Sequence, residues 1–146
     1  MQPRIHVLTL AVHDLERSLA FYRALGLASE GVIGTEFVGD ETNASGVAAM
    51  FHLEGGFILA LYVRADLAKD AGIPDAAHPS GAFSIGHGVR NREDVDALLS
   101  RAAAAGGAVP DATRDRPWGI YSGYFADPDG HLWEIMWNPT LELSPR

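Results

Sequence analysis

The chain repeats its own order of elements. An offset of 77 residues carries Val12 onto Val89, Asp14 onto Asn91, Glu16 onto Glu93 and Phe21 onto Leu98. An offset of 74 carries Phe57-Ile58-Leu59-Ala60-Leu61-Tyr62 onto His131-Leu132-Trp133-Glu134-Ile135-Met136. Few identities survive, but the grammar does, and a duplicated supersecondary unit restricts the fold more than any local signal. In the first half, Ile5 to Val12 reads as a buried strand and Asp14 as an N-cap. Leu15, Ser18, Leu19, Tyr22 and Leu25 then recur at helical spacing until Gly26 ends the helix. Glu30 to Gly39 reads as a strand interrupted by Gly31 and Gly34, before the polar turn at 40–45. Ala48 to Leu53 and Phe57 to Val63 form a hairpin across Glu54-Gly55-Gly56. A short helix over 65–71 precedes the Pro74 to Gly81 connector. The second half restarts with a strand from Ala82 to Arg90, an N-cap at Asn91 and an apolar stripe of Val95, Leu98, Leu99 and Ala102. Gly106-Gly107 stops that helix, and a short strand near Ala108 to Pro110 follows. Two aromatic-rich strands, Tyr121 to Ala126 and Leu132 to Trp137, close the half around Asp127-Pro128-Asp129-Gly130. There Pro128 presets φ, Gly130 tolerates positive φ, and the Asp side chains accept from nearby backbone N–H groups. Each half is strand–helix–strand–strand–strand, and neither has the apolar area to be stable alone. The expected class is α+β: two βαβββ modules, a curved mixed sheet, and helices on the outside.

Composition narrows the function. One domain suits 146 residues, with module one over about 1–73 and module two over about 82–138. No apolar run approaches the ~18–20 residues of a membrane helix, and Met-Gln-Pro-Arg-Ile-His carries no signal-peptide core. A cytoplasmic protein with no membrane partner is expected. The absence of cysteine removes disulfides, thiolate metal sites and a cysteine nucleophile. A net charge of −8 argues against nucleic acid as a partner and mildly favours a cationic ligand through long-range steering. No Gly-x-Ser-x-Gly elbow, phosphate loop, dinucleotide fingerprint or His-Glu-x-x-His pair is present.

Two stretches carry a family likeness. Leu8-Thr9-Leu10-Ala11-Val12-His13-Asp14-Leu15-Glu16-Arg17-Ser18-Leu19-Ala20-Phe21-Tyr22, with Leu25-Gly26-Leu27, resembles the first strand and helix of the vicinal oxygen chelate superfamily. That superfamily holds glyoxalase I, bleomycin- and fosfomycin-resistance proteins and extradiol dioxygenases. Phe125 to Ile135 resembles its C-terminal hairpin. The resemblance implies paired βαβββ modules in one domain over 1–146, a cup-shaped site on the concave sheet, and a homodimer. In metal-dependent members the ligands project from the first and last strand of each module. Carried over, those positions are Val7, Ala60, Ser84 and Glu134. Valine and alanine offer no lone pair and serine is a weak neutral ligand, whereas a catalytic divalent ion takes three or more His or carboxylate ligands. Neither a metal nor another cofactor is expected. Of the histidines, His6 alternates away from the Val7 face, and His87 shares the helix-facing side with Phe83, Ile85 and Val89. His13 and His78 read as solvated, and His52 and His131 as lying near strand ends.

Alternation assigns Val7, Thr9, Ala11, Ile58, Ala60 and Tyr62 to the concave face, joined by Ser84, Gly86, Gly88, Leu132, Glu134 and Met136. The small residues of the third strand in that set leave room. An apolar surround with sparse polar groups is the composition of a small-molecule pocket. Ligand contacts are therefore expected from Val7, Thr9, Ala60, Tyr62, Ser84, Gly86 and Met136. Trp118 and Tyr121, from the loop Arg114 to Tyr121, are expected to act as a lid. Trp133, Ile135 and Trp137 take the opposite, helix-packing face. Glu134 is the one candidate catalytic residue: a general acid or base, or else a carboxylate that positions ligands or accepts hydrogen bonds from Thr9 or Ser84. The leading reading is a metal-independent protein that binds a small hydrophobic or aromatic molecule. A bleomycin-type sequestering protein and a metal-dependent glyoxalase-like lyase or dioxygenase are the alternatives, and enzyme against binder stays open.

Overall fold

Both helices of the repeat begin where a short polar side chain can replace the missing backbone acceptor. In the computed structural model, which describes residues 1–76 and 82–143, Asp14 accepts from the Arg17 N–H at 3.0 Å and starts helix α1, Leu15–Ala24. Asn91 accepts from the Asp94 N–H at 3.2 Å and starts α3, Arg92–Ala104. The chain divides into two compact units, Met1–His78 and Pro79–Arg146. Part of the connector, including His78, lies outside the described residues.

The first unit contains strands β1 (Val7–Val12), β2 (Val32–Ile33), β3 (Ala48–His52) and β4 (Ile58–Val63), together with α1 and the short helix α2 (Arg64–Ala71). Its sheet order is β1-β4-β3-β2, with β1 parallel to β4 and the other pairs antiparallel. Leu10, Val12, Ala49, Phe51, Leu59 and Leu61 fill one face and are buried with Leu15, Leu19 and Tyr22 of α1. Tyr22 meets the Phe51 ring edge-on with centroids 5.8 Å apart. Burial of this stripe supplies most of what holds the unit together.

The second unit repeats the scheme with β5 (Ser84–Val89), β6 (Arg114–Asp115), β7 (Tyr121–Ala126) and β8 (Leu132–Trp137) in the order β5-β8-β7-β6. Phe125, Trp133 and Ile135 are buried with Val95, Leu99 and Ala102 of α3, and Phe125 stacks on Trp133 at 5.9 Å. Trp137, also on this side, lies beneath the Arg92 guanidinium. The architecture is α+β: among the described residues, two four-stranded mixed sheets with three α-helices.

Register restates the duplication residue by residue. Val7 pairs with Ile58 as Ser84 pairs with Leu132, and Ala48 pairs with Tyr62 as Ser122 pairs with Met136. These are the offsets of 77 and 74 seen in the sequence. The strand expected over 30–39 is cut to two residues. Gly31, Gly34 and Gly39 all take positive φ, and a Cβ at Gly34 would stand 2.0 Å from the Gly46 carbonyl oxygen. The backbone folds onto itself there instead of extending. The short strand expected at 108–110 is a single bridge, Ala108 to Ala126, and the fourth strand of this sheet is β6. Among the described residues no helix is long and apolar enough to cross a membrane.

Candidate functional site

The turn Asp127 to His131 sets the phase of everything around Glu134. Asp127 is 4% exposed, and its Oδ1 accepts from the N–H groups of Asp129 and His131, each at 2.9 Å. Its own N–H donates to the His131 carbonyl, and Gly130 adopts φ 87°. A hairpin closed on the pair 127–131 must place Ala126 opposite Leu132, Tyr124 opposite Glu134 and Ser122 opposite Met136. On the parallel side Ser84, Gly86 and Gly88 lie opposite Leu132, Glu134 and Met136. One face of the second sheet thus carries Ser84, Gly86, Ser122, Tyr124, Leu132, Glu134 and Met136.

Glu134 is half-buried and engaged. The fully buried Ser122 donates its hydroxyl to Glu134 Oε2 at 2.9 Å, and Arg116 Nε donates to Ser122 Oγ at 2.7 Å. Serine, with one donor and two lone pairs, is suited to relay between a carboxylate and a guanidinium. The Arg116 guanidinium also lies over the Tyr124 ring, 5.5 Å from its centroid. Beside this network is a cavity of about 440 Å³ lined by Phe83, Ser84, Pro110, Asp111, Ala112, Arg116, Tyr124 and Leu132. Its walls are mostly apolar, with one guanidinium, one carboxylate and one aliphatic hydroxyl, and its size suits a small ligand. Glu134 is not among the lining residues; it reaches the cavity through Ser122 and Arg116.

The room expected from the small residues of β5 is unevenly kept. A Cβ on Gly88 would stand 2.6 Å from Leu141 Cδ2 and 3.1 Å from Leu143 Cδ2, so those leucines take that space. Opposite Glu134, a Cβ on Gly86 would stand 3.0 Å from Met136 Cε. The opening survives at the Ser84 end, where the cavity lies.

Two expected ligand residues are placed elsewhere. Tyr121 falls on the helix-facing side, where its hydroxyl bonds both carboxylate oxygens of Asp96 and Thr113 Oγ1, and the Arg92 guanidinium covers its ring at 4.2 Å. It is one residue out of phase with Ser122 and Tyr124. Trp118 is 88% exposed in the turn Pro117–Gly119 at φ 65° and does not line the cavity. His87 lies opposite Ile135 on the helix-facing side, as expected, but is exposed.

The open face of the first unit differs. Val7, Thr9 and Ala11 lie beside Ile58, Ala60 and Tyr62, and Met50 and His52 complete it from β3. The hydroxyl of Tyr62 donates to the Ser45 carbonyl, so it is engaged within its own unit. Burial, and then the Asp66 and Asp70 carboxylates, push its phenol above the usual 10.0.

A divalent ion is poorly served by these residues. Of Val7, Ala60, Ser84 and Glu134, the four positions that the resemblance marks for metal ligands, only Glu134 offers a strong donor, and its Oε2 already accepts from Ser122. Among the described residues no group of three or more His, Asp or Glu is disposed to hold a metal.

Ser122, Tyr124 and Arg116 were not legible as site residues from residue type alone, because Tyr121 and Tyr124 are equally aromatic. Counting back across the Asp127–His131 turn separates them.

Comparison with known proteins adds to this geometry. Residues 4–135 match the model of the Glyoxalase/Bleomycin resistance protein/Dioxygenase superfamily. A crystal structure of a glyoxalase-related enzyme from Fulvimarina pelagi is 32% identical, with a TM-score of 0.79 over 97% of this chain and 93% of that one. A glyoxalase/bleomycin resistance protein/dioxygenase from Nocardioides is 26% identical, with a TM-score of 0.71 over 100% and 91%. An uncharacterized protein of Mycobacterium bovis is 48% identical over 51 residues, 35% of this chain. The match spans 33% of that curated relative's length.

Proposed function

The chain belongs to the Glyoxalase/Bleomycin resistance protein/Dioxygenase superfamily, and from that premise we propose that it binds a small hydrophobic or aromatic organic molecule without a metal. The observation that carries this is the cavity of about 440 Å³ at the Ser84 end of the second sheet. Phe83, Pro110, Ala112, Tyr124 and Leu132 offer it apolar wall, and Ser84 and Arg116 offer it polar groups that fix orientation. The poor donor set at Val7, Ala60, Ser84 and Glu134 supports the metal-free part of the reading. The homodimer and cytoplasmic setting expected for such a protein belong to the same proposal.

Sequestration of a cationic drug of the bleomycin type is the weaker alternative, because a guanidinium at the cavity wall repels a cation at close range. A metal-dependent lyase or dioxygenase would need ligands beyond Glu134.

Native mass spectrometry and metal analysis of protein purified without chelator test the proposal together. The expected result is a substoichiometric metal content and an organic species released on denaturation, or taken up from an apolar fragment set. Near-stoichiometric nickel, zinc, iron or manganese whose removal abolishes ligand uptake would contradict it.

A further inference from the structure

We infer that the molecule held in this cavity carries a carboxylate, received end-on by Arg116, and that Ser122 and Glu134 are the positioning residues that aim the guanidinium. The inference rests on the binding reading above and deepens it.

Arg116 is held at three places. Its backbone N–H donates to the Ile120 carbonyl at 2.7 Å, its Nε donates to Ser122 Oγ, and its guanidinium lies over Tyr124. Ser122 in turn spends its hydroxyl proton on Glu134 Oε2. What remains is the pair of terminal nitrogens, Nη1 and Nη2, which form no hydrogen bond or ion pair among the described residues. A guanidinium fixed through Nε presents this pair as a ready-made fork for the two oxygens of a carboxylate. The residue lines a cavity whose other walls are mostly apolar, so the rest of the ligand should be a hydrocarbon or aromatic body.

Two charges oppose this, and neither is large enough to reverse it. Asp111 also lines the cavity, but its Oδ2 faces Arg114 Nη1 at 3.6 Å, and both side chains are mostly exposed. The net charge of −8 repels anions at long range, yet at physiological salt that repulsion is screened beyond about 8 Å. A bidentate charge-assisted contact to the part-buried Arg116 acts at hydrogen-bond distance, well inside that screening length.

The test uses two acids, phenylacetate and benzoate, and their neutral amides, phenylacetamide and benzamide. Binding is read by saturation-transfer NMR and tryptophan fluorescence on the full chain. The acids should bind saturably and the amides about tenfold more weakly, about the discrimination expected of a contact worth ~1.4 kcal/mol. Arg116→Gln should erase the preference, and Arg116→Lys should keep only a small part of it, because an ammonium cannot form the fork. Ser122→Ala should lower acid affinity several-fold and leave amide affinity unchanged; a role in folding alone would lower both. Equal binding of acids and amides, unmoved by Arg116→Gln, would overturn the carboxylate inference and leave the binding proposal standing. If none of the four probes binds, both fall.

Discussion

The two units share an order of strands, a register and a helix cap, and they differ in what the shared positions hold. Where the first unit has Ala48, Met50 and Ala60 on its open face, the second has Ser122, Tyr124 and Glu134 at the same places in the ladder. Val7 corresponds to Ser84 in the same way. On the helix-facing sides the buried stripe is shared: Phe51, Leu59 and Leu61 in the first unit correspond to Phe125, Trp133 and Ile135 in the second. The second face carries a hydrogen-bonded chain of Glu134, Ser122 and Arg116, where the first has alanine at the places of Glu134 and Ser122. The scaffold tolerates this because the new groups satisfy one another, which a lone carboxylate on the same face would not achieve.

The comparison can be broken most severely at Gly123, the counterpart of Ala49. Both sit on the helix-facing side, but a Cβ on Gly123 would stand 2.6 Å from Leu99 Cδ1 and 2.7 Å from Thr113 Cγ2. Gly123→Ala should destabilise the protein by about 1–3 kcal/mol through overpacking. The reverse change in the first unit, Ala49→Gly, should cost only about 0.5–1 kcal/mol. Urea denaturation of both variants checks the order; a neutral Gly123→Ala would show that α3 yields more easily than the packing implies.

The hairpin turns differ in how their first residue closes them. Asp127 stabilises the second turn through two accepted hydrogen bonds, while its counterpart Leu53 closes the first with backbone alone, its N–H on the Phe57 carbonyl. Asp127→Ala should therefore cost about 1–3 kcal/mol by removing the charged acceptor of two part-buried N–H groups. Asp127→Asn, which keeps an acceptor oxygen, should cost less. Thermal melts compare the two, and equal losses would show that the charge and not the acceptor geometry holds the turn.

A smaller and pH-dependent difference lies at Tyr62, whose counterpart is Met136. Its phenol is raised above 10.0 in the folded chain, so the folded state favours the protonated form. The corresponding stability is fully present below pH 10 and is lost as pH rises through the folded value. Tyr62→Phe should lose about 1 kcal/mol at neutral pH with the hydrogen bond to Ser45. The variant should then lose less than the native chain between neutral pH and pH 11. A loss independent of pH would place the effect in packing.

Much of the fold was legible because its signals are local. Asp14, Asn91, Gly26 and the Asp-Pro-Asp-Gly turn each act within a few residues of themselves, and the 74-residue offset follows from element order. β6 was not legible, since two exposed residues, Arg114 and Asp115, become a strand only by lying beside β7. Glu134 was legible as an ionisable residue among apolar ones. Its partners were not, because Ser122 and Arg116 join it through pairing across strands and a loop, and no spacing in the chain reports that. Tyr121 shows the cost of a one-residue error: it turns a ligand contact into a helix contact.

The central claim is that the second unit holds the ligand. Amide chemical-shift mapping with phenylacetate on the full chain tests it most directly. The account predicts the largest shifts at residues 83–84, 111–112, 116, 122–124 and 132–134, with small changes at Val7, Thr9, Ala60 and Tyr62. Shifts concentrated at those four residues, with Arg116 and Ser122 unmoved, would contradict it.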